Sequence, residues 1–160
     1  MDSESEYFRA NVGALIFRSD GSVLTFQRSG GLGGEWQMPQ GGLMHGEAPW
    51  QAVLREVQEE TSIHASKLQI VDEIDEWLGY ELPPAYRSGK TERGQVQKWF
   101  ALRFTGSETD VRPNGSEFLA WKWISGDELP GAAVDFRRAV YRRVIERFAA
   151  HLRGDRCTES

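Results

Sequence analysis

Short apolar segments separated by polar turns run along most of the chain, and this pattern predicts a protein rich in β-strands. Asp20-Gly21 lies between two such segments and predicts a hairpin turn. The Gly-rich residues 29–34 predict a plain connecting loop, because no Walker Lys follows them as in a phosphate cradle. Residues 68–82 alternate apolar and acidic side chains, which predicts one long strand bent at Gly79. The predicted strands cover residues 11–17, 23–28, 36–42, 68–82, 95–104 and 118–124.

Two longer segments carry the apolar spacing of helices. The first runs from Ala48 to Thr61, and its only proline, Pro49, falls in the first turn, where a helix tolerates proline. The second runs from Asp135 to Leu152 and has an apolar stripe along one side. Strands before and after these helices predict an α/β fold, an α/β/α sandwich in which a mixed β-sheet lies between helices.

The length of 160 residues fits one domain, residues 1–160, and we expect residues 1–6 and 153–160 to be flexible ends. With 39% hydrophobic and 27% charged residues, the composition is typical of a soluble globular protein. No apolar run is long enough to span a membrane, and the acidic N-terminus does not resemble a secretory signal. The single cysteine, Cys157, cannot form an internal disulfide. These features favour a cytoplasmic protein with no membrane partner.

The net charge of −5 argues against binding along a nucleic-acid backbone through a broad basic surface. It does not exclude recognition of the phosphorylated end of a nucleotide or RNA, where metal ions supply the positive charge. Nothing in the sequence indicates a stable protein partner.

Three carboxylates lie on one face of the first predicted helix. Glu56, Glu59 and Glu60 are separated by three and four positions, so they share a side of the helix and repel one another. A divalent cation such as Mg²⁺, which prefers carboxylate oxygens, would offset this repulsion. Taken alone, such a cluster is more often a solvated acidic face.

The residues around this cluster resemble the sequence signature of the Nudix hydrolases. The spacing runs through Gly41, Glu47, Arg55, Glu56, Glu59, Glu60 and the apolar Ile63. One position departs from the family, which usually has Gly where this chain has Ser62. That Gly ends the helix in a left-handed conformation, which costs other residues about 1 kcal/mol or more.

The resemblance extends beyond this signature to the branch that holds bacterial RNA pyrophosphohydrolases and plant-type diadenosine tetraphosphate hydrolases. Ala10 stands where that branch usually has Pro, and the loop over residues 86–93 is shorter than in several members. The similar segments are 8–13, 36–42, 77–83, 94–100, 117–123 and 134–141.

The family resemblance implies metal-assisted attack of water on a phosphorus atom. It implies a site for Mg²⁺, with Mn²⁺ as a possible substitute, held by Glu56, Glu59, Glu60 and the carbonyl of Gly41. Glu117 becomes either the general base or a further metal ligand. Arg55 is expected to orient Glu56, although an ordinary surface ion pair is the alternative. Glu47 is expected to hold the loop against the helix or to reach a metal through water.

The same resemblance implies the substrate-binding residues. Tyr80 and Phe136 would stack on bases, although by pattern alone both fit a hydrophobic core and Phe136 lies on the apolar stripe of its helix. The cationic residues would bind phosphates or base edges, although Arg137 also fits a solvated helix face. The predicted substrate-binding residues are Arg9, Arg28, Tyr80, Lys98, Phe136 and Arg137.

The leading functional hypothesis is therefore a hydrolase of 5′-polyphosphate ends, acting on triphosphorylated RNA or on dinucleoside polyphosphates. The alternative enzyme hypothesis is a pyrophosphatase of free nucleotides or nucleotide sugars. A nucleotide-binding module without activity is disfavoured, because the repelling carboxylates would then serve no purpose.

Overall fold

The computed structural model describes residues 7–28, 35–86, 92–115 and 118–154. The strands are β1 (Phe8–Phe17), β2 (Val23–Arg28), β3 (Trp36–Gln37), β4 (Gln40–Gly42), β5 (Leu68–Glu73), β6 (Leu78–Glu81), β7 (Gly94–Phe104) and β8 (Phe118–Ile124). The α-helices are α1 (Pro49–Thr61), α2 (Leu129–Ala132) and α3 (Asp135–Arg147). In these ranges, no helix has both the length and the apolar character needed to cross a membrane.

The strands form one mixed sheet, as predicted. Its main order is β3-β2-β1-β7-β5, with β4 paired to β1, β6 paired to β7 and β8 paired to β2. The β1–β7 pair is parallel and runs from Phe8 opposite Gly94 to Phe17 opposite Arg103. The pairs that β1 makes with β2 and β4 are antiparallel. The short antiparallel β4 is what brings the Gly41-Gly42 pair beside the centre of the sheet.

Helices cover both faces of the sheet, which confirms the predicted α/β/α sandwich. Alternate residues of β1 supply the two cores. Val12, Ala14 and Ile16 pack with residues of α1, and we call this side the α1 face. Leu15 and Phe17 pack with residues of α3 on the opposite side, which we call the α3 face.

The long strand predicted over residues 68–82 is wrong, because β5 and β6 are separate strands. The chain leaves the sheet after Ile74, whose side chain is buried and whose N–H still donates to the carbonyl of Trp99 in β7. The ammonium of Lys98 donates to the carbonyls of Ile74 and Asp75 and so satisfies backbone groups that the break leaves without a strand partner. Gly79 is not a bend, since it lies within β6 opposite Val96.

Two other element boundaries differ from the predictions. The strand expected over residues 36–42 is divided in two at Met38-Pro39, because Pro39 has no N–H and the N–H of Met38 donates to the Tyr141 hydroxyl instead. The helix expected to reach Leu152 ends at Arg147 and is followed by a 3₁₀ turn over Ala149–Leu152.

Several predicted features lie outside the described residues. These are the Gly-rich loop at 29–34, the middle of the loop at 83–94 and Glu117. The predicted flexible ends also lie outside, except for Arg153 and Gly154, and Gly154 lies against the backbone of Asp20.

Candidate active site

Helix α1 places three carboxylates at the edge of the α1 face. It begins after Ala48, whose backbone is extended. The N–H of Ala48 donates to the side-chain oxygen of Gln51 at 3.0 Å. Ala52, Val53 and Val57 are buried against the sheet, and this fixes the rotation of the helix. The side of α1 next to this apolar stripe therefore carries the carboxylates, which are Glu56, Glu59 and Glu60.

The helix ends where the sequence comparison with the family expects a glycine. Ser62 has φ 66° and ψ 3°, which is the left-handed conformation, and its N–H donates to the carbonyl of Gln58 at 3.0 Å. Among the described residues, Ser62 is the only non-glycine residue with a positive φ. Its hydroxyl donates to the carbonyl of Arg112 at 2.9 Å. This hydrogen bond offsets part of the conformational cost of a residue that carries a Cβ.

Arg55 joins the loop before α1 to the carboxylates on the helix. Its guanidinium donates to both carboxylate oxygens of Glu47, at 2.8 and 2.9 Å, and to the carbonyl of Gly42 at 2.8 Å. Its remaining nitrogen donates to Glu56 at 2.8 Å and lies 3.3 Å from Glu59. A planar guanidinium suits this arrangement because it presents several donors in fixed directions. Arg55 therefore contacts Glu56, the residue it is expected to orient, and three further groups.

These contacts also determine the charge of Glu47. Hydrogen bonds from Arg55, and then from the N–H of Met44, lower the pKa of Glu47 from 4.5 to about 2. The same bond with Glu47 raises the pKa of Arg55 above its usual value. Both groups are consequently ionised throughout the neutral range, and the loop is held to the helix by a permanent ion pair.

The two glycines of β4 allow side chains to approach the strand closely from both sides. A Cβ on Gly41 would overlap the carboxyl group of Glu56, which comes from the α1 face. A Cβ on Gly42 would overlap the guanidinium of Arg9, which comes from the other face. At both positions the atoms that a Cβ would meet are the ends of long side chains, so the glycines let Glu56 and Arg9 lie this close to the strand. The backbone of Gly41 and the carboxylate of Glu56 are thus side by side.

The donor set fits a hard divalent cation chemically, but the side chains of Glu56 and Glu59 are turned toward Arg55. Within residues 7–28, 35–86, 92–115 and 118–154, no three Asp, Glu, His or Cys side chains are grouped closely enough to hold an ion. Glu56 and Glu59 both contact Arg55, and the Glu59 side chain is 54% exposed. Glu60 is buried, at 5% exposure.

A cavity of about 390 Å³ lies on the α3 face. Four of the six predicted substrate-binding residues line it: Arg28, Tyr80, Phe136 and Arg137. Sequence reasoning missed several further lining residues, which include Trp36, Gln40, Tyr86, Glu92 and Gln95. Two of these had a signal in the sequence, since Gln40 and Gln95 are polar side chains within segments predicted to be strands.

Aromatic rings and a buried cation form one side of this cavity. The ring of Phe136 lies 5.5 Å from that of Tyr80 and 5.2 Å from that of Tyr86, measured between centroids. The guanidinium of Arg137 lies 4.9 Å from the Phe136 ring. Arg137 is only 9% exposed, so the interpretation of a solvated helix face is wrong for it. Phe136 is half-buried, because it packs against the core and also lines the cavity.

The structure does not bring the other two predicted residues into the cavity. Arg9 is exposed and its guanidinium lies over Gly42. Lys98 points to the α1 face, where it lines a separate groove with Trp50 and Glu73. Its ammonium is held by backbone carbonyls and lies 3.4 Å from the Glu73 carboxylate. The position of Lys98 therefore supports a role in the β5–β6 connection.

Comparison with known proteins identifies the family. The model of the NUDIX domain matches residues 7–148 of the chain. The chain belongs to the Nudix family. The RNA pyrophosphohydrolase of Cereibacter sphaeroides is 39% identical over 150 residues, which cover 91% of this chain and 93% of that protein. Nudix hydrolase 26, chloroplastic, of Arabidopsis thaliana is 39% identical over 163 residues, which cover 95% of this chain and 74% of that protein.

A solved Nudix structure agrees with the fold. The C. elegans Ap4A hydrolase binary complex has a TM-score of 0.67 and 25% identity, and the match covers 89% of this chain and 98% of that one. The resemblance drawn from the sequence is thereby confirmed, and with it the class of hydrolases that act on pyrophosphate bonds of nucleotide-containing substrates. Nudix hydrolases generally use divalent metal ions.

Proposed function

We propose that this Nudix hydrolase cleaves the pyrophosphate linkage at the 5′-polyphosphate end of triphosphorylated RNA, with Mg²⁺ as its metal and Mn²⁺ as a possible substitute. The observation that carries the proposal is the position of two different sites on either side of β4. Carboxylates and the Gly41 backbone lie on one side, and a cavity lined by aromatic rings and arginines lies on the other. A substrate that joins a polyphosphate to a nucleoside needs both.

On the α1 side, the residues proposed to hold the metal are Glu56, Glu59, Glu60 and the carbonyl of Gly41. When bound, divalent ions neutralise phosphate charge and lower the pKa of a bound water. Arg55 fixes the carboxylate of Glu56 through their 2.8 Å contact, and it connects that carboxylate to the loop through Glu47. Glu117 stays a prediction from the sequence, as general base or further ligand, because it lies outside the described residues.

On the α3 side, the cavity has the size and lining of a nucleoside site. Its volume of about 390 Å³ lies within the range of small-molecule pockets in proteins. Phe136 and Tyr80 offer ring faces on which a base can stack, a contact that contributes about 1–3 kcal/mol per base. Arg28 and Arg137 supply positive charge beside these rings. The buried Nε of Arg137 has no hydrogen-bond partner among the described residues, which supports a role in binding an acceptor on the substrate.

The second candidate is a dinucleoside polyphosphate hydrolase, which the similarity to the Ap4A hydrolase structure favours. Both substrates place a nucleoside next to a polyphosphate chain, so the cavity and the carboxylates suit either of them. The relatives named RNA pyrophosphohydrolase match at the higher identity of 39%, and this is why we place RNA first.

A comparison of rates on three substrates tests the proposal. The purified protein is assayed with triphosphorylated RNA, diadenosine tetraphosphate and free nucleoside triphosphates, each with Mg²⁺, with Mn²⁺ and with a chelator. We expect the highest kcat/KM on the RNA and no turnover with the chelator. A higher kcat/KM on diadenosine tetraphosphate would replace RNA with the second candidate. Turnover of free nucleoside triphosphates alone, or activity that survives the chelator, would overturn the proposal.

A further inference from the structure

A chain of side-chain amides connects the buried centre of the α3 face to the wall of the cavity. The indole N–H of Trp99 donates to Oε1 of Gln97 at 3.1 Å, and Nε2 of Gln97 donates to Oε1 of Gln40 at 3.0 Å. Nε2 of Gln40 donates to Oε1 of Gln95 at 3.3 Å. Nε2 of Gln95 then donates to the Glu92 carboxylate at 3.2 Å. We call these five residues the amide relay.

All four hydrogen bonds of the amide relay are donated in the same direction, from Trp99 toward Glu92. The groups at the two ends of the relay determine this direction. The indole nitrogen of Trp99 can only donate a hydrogen bond, whereas the ionised carboxylate of Glu92 can only accept one. Each of the three amides between them must therefore present its oxygen toward Trp99 and its nitrogen toward Glu92. Trp99 is 0% and Gln97 is 1% exposed, so water does not compete at the inner end. Aligned hydrogen bonds of this kind also polarise and strengthen one another.

Two side branches hold the relay in the same direction. Nε2 of Gln97 also donates to Oδ1 of Asn11 at 2.9 Å, a buried contact that uses its second hydrogen. The hydroxyl of Tyr80 donates to Oε1 of Gln95 at 2.6 Å. Tyr80 is one of the rings proposed to hold a base, so its hydroxyl is oriented by the relay. Three members of the relay, Gln40, Gln95 and Glu92, line the cavity, whereas Gln97 and Trp99 lie behind that wall.

We propose that Gln97 is a positioning residue that fixes the hydrogen-bonding direction of the cavity wall, and thereby the way in which a nucleobase is held. Gln97 does not line the cavity and acts through Gln40 and Gln95. Gln40 directly precedes Gly41 in β4, so the same amide couples the cavity wall to the strand proposed to carry a metal ligand. This inference rests on the proposed function of the cavity as a nucleoside site.

A purely structural role for Gln97 predicts a different result. If the amides only satisfied buried polar groups, their loss would lower the melting temperature, while ligand binding per folded molecule would not change. A positioning role predicts weaker binding in the molecules that remain folded. Measurement of both quantities on the same variants separates the two.

The first test replaces Gln97 in two ways. Gln97→Met keeps the length of the side chain and removes all its hydrogen bonds. Gln97→Glu keeps an acceptor for Trp99 but, when ionised, cannot donate to Gln40 or Asn11. The dissociation constant of AMP is measured by calorimetry, and KM and kcat are measured on triphosphorylated RNA. We expect both variants to raise the AMP dissociation constant and KM by about tenfold, with a smaller change in kcat.

The chain offers a matched control for the loss of a buried group on the other face. The indole nitrogen of Trp123 is buried and has no hydrogen-bond partner among the described residues. Trp123→Phe should therefore leave AMP binding unchanged, whatever it does to the melting temperature. If the Gln97 variants bind AMP as tightly as the unsubstituted protein does, or if that protein does not bind AMP, the inference is overturned.

The second test asks whether direction itself matters. Trp99→Phe removes the donor end of the relay, and Glu92→Gln allows the acceptor end to turn around. Each single variant leaves one end defined and should weaken AMP binding only a few-fold. The double variant defines neither end, so we expect a loss about tenfold larger than the product of the single losses. Additive losses would overturn the directional relay. If Trp99→Phe does not fold, the AMP dissociation constants of Gln97→Met and Gln97→Glu decide instead, and values equal to that of the unsubstituted protein overturn the inference.

Failure of this inference is distinguishable from failure of the proposed function. If the unsubstituted protein hydrolyses neither RNA nor dinucleotide but its AMP binding depends on Gln97, the enzyme assignment fails and the relay stands. If turnover on RNA is normal and every relay variant binds and turns over as the unsubstituted protein does, the relay fails and the function stands.

Discussion

The two sides of β4 solve two recognition problems with different chemistry. On the α1 face, Arg55 gathers the carboxylates of Glu47, Glu56 and Glu59, and every one of these contacts is ionic. On the α3 face, neutral amides and aromatic rings line the cavity together with Arg28, Arg137 and Glu92. The order of the amides comes from the direction of their hydrogen bonds. Charge is concentrated where a polyphosphate and its cations would lie. Directional neutral contacts are concentrated where a base would lie.

This difference has a consequence for how each side responds to change. Ionic contacts among partly exposed groups depend on pH and on salt, and a single substitution exposes unbalanced charge. Neutral amides respond to neither in the usual range, and they depend instead on the continuity of the chain of hydrogen bonds. Substitutions on the two sides should therefore differ in which property they change, and also in the size of the change.

The largest effect on activity is expected from Glu56→Gln on the α1 face. It removes a negative oxygen donor that lies beside the backbone of Gly41, and we expect kcat to fall by about a thousandfold or more. The fold should remain intact, since Glu56 is not part of the apolar stripe of α1. Glu108→Gln is the matched control and should not change kcat, because Glu108 forms an ion pair with Arg18 at the surface and no other ion pair among the described residues. Near-normal activity of Glu56→Gln at saturating Mg²⁺ would disprove the proposed metal ligands.

A smaller effect is expected from Phe136→Ala on the neutral side. Loss of a stacking ring should lower kcat/KM by about tenfold, since such stacking contributes about 1–3 kcal/mol. Because Phe136 is only half-buried, the stability loss should stay below the 3–5 kcal/mol typical of a buried Phe.

Phe148→Ala provides the comparison on the same helical stripe. Phe148 is buried in the core and does not line the cavity, so its loss should lower the melting temperature strongly. Its kcat/KM per folded molecule should not change. If Phe136→Ala behaves in the same way as Phe148→Ala, Phe136 belongs to the core alone.

The stability of the protein should depend on pH through the ion pair between Glu47 and Arg55 on the α1 face. The folded pKa of Glu47, about 2, lies below its ordinary value of 4.5. The folded state therefore binds the proton more weakly than the unfolded state does, and the ion pair with Arg55 stabilises the protein fully above pH 4.5. This contribution is lost as the pH falls from 4.5 toward 2. The melting temperatures of the unsubstituted protein and of Glu47→Gln should accordingly converge over that range. A constant difference between them would show that the ion pair does not contribute.

The smallest effect is expected from Ser62→Gly, at the end of the helix that carries the ionic side. Glycine removes a conformational cost of about 1 kcal/mol, and it also removes the hydrogen bond to Arg112, which contributes about 0.5–1.5 kcal/mol. The two changes nearly cancel, so the free energy of unfolding should change by less than about 1 kcal/mol. Ser62→Ala removes only the hydrogen bond and should be the less stable of the two by thermal unfolding. The opposite order would show that the left-handed conformation carries no cost here.

The ionic side was predictable from the sequence because its parts are close together along the chain. Glu56, Glu59 and Glu60 fall on one helix face by spacing alone, and the left-handed conformation of Ser62 was expected at the helix end. The contacts of Arg55 with Glu47 and Gly42 were not predicted, because the path of the loop decides them. The strands β1, β2, β7 and β8 were also predicted well, since their pattern is local.

The cavity on the α3 face is formed by residues that are far apart in the sequence, so their spacing along the chain could not predict that they lie together. Arg28, Tyr80 and Phe136 come from three separate elements, and only the family resemblance grouped them. For Lys98, the alternation of side chains along a strand would have corrected the predicted substrate-binding role. Its neighbours Gln97 and Trp99 belong to the α3 face, so strand alternation places Lys98 on the opposite face. The break at Ile74 escaped prediction because a tertiary contact, from Lys98, stabilises it.

The parallel pairing of β1 with β7 also has a consequence for how the protein acquires its structure. Asn11 and Gln97, which share a hydrogen bond in that pair, are 86 positions apart in sequence. The centre of the sheet therefore forms only after a large loop of chain has closed, and loop closure of this kind slows folding. During synthesis, β1 cannot pair with β7 until β7 has left the ribosome. Until then the edge of β1 that pairs with β7 has no partner, and an unpaired strand edge is prone to aggregation.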